Sequence, residues 1–150
     1  MKIWIRNQQK QTLLDKRKIR RAAQRILTEL GLPDAEVSLL FVNDAKIQAL
    51  NRRYLRRDKP TNVLAFSMRE GEFSTLHSHL LGDLVISVET ARRQMKRFGM
   101  DEMKMVTLMM IHGILHLVGY EHIGTKKGAR EMAIKQRELF QQMIRTGILE

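Results

Sequence analysis

The sequence predicts a mixed α/β domain of the α+β kind: one sheet of about four strands, about five helices, and a His-bearing helix at the centre. Three observations predict it. Apolar residues recur at helical spacing in residues 16–30 and again in 126–144. Short β-branched and apolar runs, such as 36–42 and 80–87, fall between helical stretches. Residues 101–118 are apolar all round, which places that helix in the interior. At 150 residues the chain is expected to form a single domain, 1–150. A chain of this length buries about 70% of its unfolded surface and holds a core without staples.

Each element has its own signal. Ile3, Trp4 and Ile5 read as a short first strand. In residues 16–30, Ile19, Ala22, Ala23, Ile26, Leu27 and Leu30 share one helix face, and Arg17, Lys18, Arg20, Arg21 and Arg25 form a basic stripe on the other. Gly31 and Pro33 end that helix. Residues 36–42 read as a strand, and Asn43 or Asp44 caps a second helix running to about Tyr54. A basic turn, 52–59, closes at Pro60 and leads into a strand over 61–66. The polar stretch 69–79 is a long loop. Ser87 follows the strand 80–87 and caps a helix over 88–98, which Gly99 stops. Asp101 caps the apolar helix and Gly119 ends it, ahead of a last amphipathic helix.

Composition narrows the function classes. Hydrophobic residues are 43% and charged residues 29%, the balance of a soluble globular domain. The absence of cysteine excludes disulfides, thiolate metal sites, iron–sulfur clusters and a cysteine nucleophile. The net charge is +11, and residues 1–59 hold 15 basic groups against 6 acidic ones. Such a field attracts polyanions, nucleic acid first and anionic membrane second. The N-terminus lacks the apolar run of about 7–15 residues that a secretory signal needs. Residues 103–120 are interrupted by Lys104, Thr107, His112, Gly113 and His116 and make a poor membrane span. A cytoplasmic protein without a membrane partner is expected.

The chemistry concentrates in His112-Gly113-Ile114-Leu115-His116-Leu117-Val118-Gly119-Tyr120-Glu121-His122. His112 and His116 are four apart, so a helix projects both imidazoles from one face. Gly119 can turn the chain at the helix end and bring His122 back toward them. Three imidazoles with an open fourth position make a catalytic metal site, whereas structural zinc sites are usually cysteine-rich. The competing reading is three hydrogen-bonded core histidines, which would be costly to bury in an apolar helix. The spacing matches the zinc-protease pattern H-E-x-x-H-x-x-G-x-x-H, except that Gly113 replaces the glutamate base. A water on the metal is then the expected nucleophile, its pKa brought towards about 7. The carboxylates able to orient a ligand or accept a proton are Glu121, Asp83 and Glu89. Arg52, Arg53, Arg56, Arg57 and Lys59 are the expected phosphate contacts, or else an ordinary solvated loop. Three imidazoles accept zinc, nickel, copper or cobalt alike. His77 and His79 are expected to be solvated, and the methionines to fill core space.

The chain resembles the YbeY family of bacterial metal-dependent endoribonucleases. The histidine segment is similar to the family's H-G-x-L-H-L-x-G-Y-D-H, with Glu121 for Asp. Asp58-Lys59-Pro60-Thr61-Asn62-Val63-Leu64-Ala65-Phe66 resembles D-x-P-T-D-V-L-S-F, and Leu81-Gly82-Asp83-Leu84-Val85-Ile86-Ser87 resembles L-G-D-I-x-I-S. The resemblance implies a central sheet with surrounding helices. It implies one zinc-type ion held by His112, His116 and His122. It also implies cleavage of single-stranded RNA in maturation of the small-subunit ribosomal RNA 3′ end, ribosome quality control, and association with the small subunit and its assembly factors. The sequence departs from the family where Leu55 stands at a usual arginine, with Arg56 next to it as the candidate substitute and catalytic helper, and where Asn62 and Ala65 replace Asp and Ser. Leu55 motivates a second reading, a non-catalytic RNA- or ribosome-binding assembly factor with a structural metal. A third is a metallohydrolase of another substrate, whose peptidase version Gly113 disfavours.

Overall fold

Asp15, Asn43, Ser87, Asp101 and Thr125 each sit extended and accept a backbone N–H with the side chain, so five helices begin where a short polar residue can cap them. The structure is a computed structural model and describes residues 1–68, 79–120 and 125–150. Within these, the chain order is β1 (Lys2–Asn7), α1 (Lys16–Glu29), β2 (Glu36–Val42), α2 (Asp44–Leu55), β3 (Val63–Ser67), β4 (Leu80–Ser87), α3 (Val88–Phe98), α4 (Glu102–Leu117) and α5 (Lys126–Arg145). This is the mixed architecture expected.

The strands form one sheet in the order β1-β2-β4-β3. β1, β2 and β4 are parallel, and β3 runs antiparallel to β4 on one edge. β1 is longer than its apolar triplet suggested because it pairs residue for residue with β2, from Lys2–Glu36 to Asn7–Phe41. β3 starts later than Thr61 because Asn62 accepts the Val63 N–H with its own side chain at 2.8 Å.

Alternation along the strands sorts residues to two faces. Ile3, Val37, Leu39, Phe41, Leu84 and Ile86 pack with Ile19, Ile26, Met110 and Ile114 from α1 and α4. Each such side chain, fully buried, contributes about 1.5–3 kcal/mol. Val42, Leu64 and Val85 point the other way and pack under Ile47 of α2. Met105, Met109 and Met110 of α4 are core residues, as expected.

Glycine lets α4 sit close to the sheet. A Cβ on Gly113 would come within 2.6 Å of the Leu84 side chain. Gly82 has φ +138°, and a Cβ there would lie 2.1 Å from the Phe66 carbonyl oxygen. Both glycines hold α4 and β3 near β4, which places the histidine helix at the β3 edge.

Candidate metal centre and cleft

The histidines project from the last two turns of α4 toward β3. Gly119 has φ +105°, the left-handed turn expected of it, and its N–H donates to the His116 carbonyl at 3.1 Å. The turn brings the Tyr120 carbonyl 3.1 Å from His116 Nδ1. On the other ring, His112 Nδ1 lies 2.8 Å from Oε1 of Gln136 on α5. Both Nδ1 atoms thus face oxygen acceptors, which favours the tautomer with hydrogen on Nδ1. The two Nε2 atoms meet at 3.2 Å. The rings stand nearly perpendicular, at 81°.

Two nitrogens about 2.0–2.1 Å from one tetrahedral ion are roughly 3.3 Å apart, close to what the pair shows. Two neutral imidazoles with Nδ1 hydrogen-bonded to oxygen also form the usual supported ligand set. The donors therefore fit a divalent ion. Among the described residues no third His, Asp or Glu joins them. His122 and Glu121 lie outside the described residues, as does His77.

The imidazoles open into a cleft of about 560 Å³ beside β3. Arg57 and Lys59 line one side, Thr61, Asn62 and Ser67 add polar groups, and Leu55 completes the wall. Among the described lining residues there is no carboxylate. Asn51, 2% exposed, donates from Nδ2 to the Lys59 carbonyl at 3.0 Å and ties the basic turn to α2.

The basic turn divides. Arg57 and Lys59 reach the cleft, whereas Arg52, Arg53 and Arg56 are exposed outside its lining. Arg56 ends α2 with φ +57°, and this left-handed step separates its direction from that of Arg57. The Arg53 guanidinium instead lies 5.4 Å from the Tyr54 ring centre.

Two carboxylates named as helpers lie away from the imidazole pair. Asp83 is corrected as a helper: Gly82 and Leu84 face α4, so Asp83 falls on the opposite face of β4, beside Trp4 and Ser38. Glu89 accepts the Asp44 N–H at 2.8 Å and caps α2. His79 lies 3.7 Å from Glu36, away from the imidazole pair.

Gln136 was missed by the sequence reading. It stands on the stripe of α5 that carries Met132, Leu139 and Met143, where an apolar residue is expected. A polar residue on a buried stripe was the available signal.

A central helix turning paired imidazoles into a cation-lined cleft defines a class: a histidine-site α+β domain suited to an anionic ligand. The comparisons with known proteins carry the assignment further. The family described as Endoribonuclease YbeY matches residues 4–144. A protein of that name from Geobacter metallireducens is 40% identical over 150 residues, covering 99% of this chain and all of its own. Another from Syntrophotalea carbinolica is 46% identical over 139 residues, covering 92% and 93% of the two chains. The solution structure of TM1509 from Thermotoga maritima matches with a TM-score of 0.63 at 23% identity, over 93% of this chain and 87% of that one, which supports the fold. The chain belongs to the YbeY endoribonuclease family.

Proposed function

We propose that the chain is a metal-dependent endoribonuclease that cuts single-stranded RNA in maturation of the small-subunit ribosomal RNA 3′ end. The observation that carries the reading is the pair of Nε2 atoms 3.2 Å apart, opening on a cleft with two cations and no described carboxylate. Family membership supports the reaction class.

His112 and His116 would hold the ion, and His122 is the proposed third ligand. Zinc is the proposed metal, nickel or another divalent ion being chemically acceptable. Bound there, the ion supplies Lewis-acid stabilisation of phosphoryl charge and acidifies water. Gln136 and the Tyr120 carbonyl orient the imidazoles and keep hydrogen on Nδ1. Arg57 and Lys59 pair with the substrate phosphates and offset the negative charge that grows as the phosphodiester opens. Thr61, Asn62 and Ser67 offer hydrogen bonds along the same wall. With Asp83 and Glu89 turned away, Glu121 remains the carboxylate proposed to accept a proton.

The proposed partners are ribosomal RNA, the small ribosomal subunit and its assembly factors, and the proposed compartment is the cytoplasm. Among the described residues no helix is long and apolar enough to cross a membrane.

Cleavage of a labelled single-stranded oligoribonucleotide tests the reading. Wild type is expected to cut it, and His116→Ala to lose about 100-fold or more while keeping its circular dichroism, since each tenfold is about 1.4 kcal/mol of transition-state stabilisation. Undiminished cutting by folded His116→Ala would refute it.

A further inference from the structure

The first 30 residues carry nine cations against two carboxylates, most of the chain's excess charge. Five of those cations, Lys16, Arg17, Lys18, Arg20 and Arg21, fall in the first six residues of α1. The helix has no acidic residue in its first turn. This arrangement opposes local stability twice. The cations sit at the positive end of the helix dipole. Lys16–Arg20, Arg17–Arg21 and Arg21–Arg25 are also like-charged pairs four residues apart. Among the described residues the one ion pair on α1 is Arg25 with Glu29, at 2.9 Å. Solubility alone is served as well by mixed charges, so a concentrated cationic ridge calls for a polyanion.

The ridge lies at the β1 edge. Arg20 donates to the Ile3 carbonyl there. Lys2 and Arg6 alternate with Ile3 and Ile5 and stand exposed on the other face of the sheet. β1 is the edge opposite β3, and the catalytic cleft is at β3. Three strand spacings separate the two edges, roughly 14 Å. A dinucleotide held in the cleft does not span that distance to α1, whereas a longer RNA does.

We infer that the cationic ridge of α1 is a second RNA-binding surface that holds the backbone of a long substrate away from the cleft. The inference rests on the endoribonuclease reading for its choice of polyanion. Its recognition is of phosphate charge, without sequence information.

The test is the triple variant Arg17→Gln, Lys18→Gln, Arg21→Gln. Binding of a 60-nucleotide structured RNA is measured by anisotropy against salt in a His116→Ala background, so that the RNA survives. Cleavage of a dinucleotide, too short to span from the cleft to α1, is measured in the otherwise wild-type chain. Affinity for the long RNA is expected to fall about 10–100-fold, and the log–log salt slope to lose about two, as for three phosphate contacts. Cleavage of the dinucleotide should stay within about twofold, and the melting temperature should hold or rise as the repulsion is relieved. Unchanged long-RNA affinity and slope would overturn the inference, as would an equal loss on the dinucleotide. Loss confined to phosphatidylglycerol vesicles would assign the ridge to membrane and overturn it too. If the parent chain binds neither RNA, the endoribonuclease reading itself falls.

Discussion

With its Oε1 2.8 Å from Nδ1 of His112, Gln136 determines which nitrogen of that ring faces the cleft. Gln136→Leu keeps the volume but removes the acceptor. It is expected to weaken metal affinity about 10–100-fold, the usual cost of losing a ligand's supporting hydrogen bond. Competition with a chromophoric chelator measures this, and unchanged affinity would remove Gln136 from the account. Gly113 can be judged at the same scale. It occupies the place of the protease glutamate, yet a Cβ there already meets Leu84 at 2.6 Å. Gly113→Glu should therefore destabilise by about 1–3 kcal/mol through overpacking and give no peptidase. Chemical denaturation and a casein assay check both halves. The histidine pair was legible because helical spacing alone puts residues four apart on one face. The division between Arg56 and Arg57 was not, because it depends on a positive φ that no sequence pattern at a non-glycine residue announces.

At the scale of elements, a polar clamp fixes α2, the helix from which the cleft's basic turn hangs. Asp44 opens α2 and accepts from Ser87 at 2.6 Å, Thr90 at 2.7 Å and Arg93 at 2.7 Å. Partial burial raises the Asp44 pKa, but the hydrogen bonds from Arg93, Ser87 and Thr90 outweigh it and hold the carboxyl below its ordinary value. A depressed folded pKa contributes stability that is present above the unfolded value of about 3.9 and is lost as pH falls through the folded one. Asp44→Asn should accordingly melt lower than wild type at pH 7, with the gap narrowing below about pH 4. A gap that is constant with pH would mean the clamp acts by packing alone. The capping residues of this region were readable from sequence. The clamp was not, because Asp44 and Arg93 meet only when β4 and α3 pack on α2. Asp83 shows the same boundary. Its neighbours in sequence placed it near the motif, but strand alternation turned it to the other side of the sheet.

At the scale of the whole molecule, two cationic features stand at opposite edges of one sheet. The β3 edge holds the imidazole pair and two cations, and the β1 edge carries the cationic ridge of α1. Helix and strand order were legible because caps, periodicity and glycines agreed along the chain. The strand order and the opposition of the two edges were not, since they are set by pairing between distant segments. The central claim is that His112 and His116 hold a metal on which RNA cleavage depends. The most direct test is a ribosomal RNA fragment with an unprocessed 3′ end, given to wild type and to identically purified His112→Ala, with and without chelator. The account predicts cleavage by wild type alone, lost on chelation and restored by added zinc. Equal cleavage by both proteins, or intact RNA binding with no cleavage by metal-replete wild type, would contradict it.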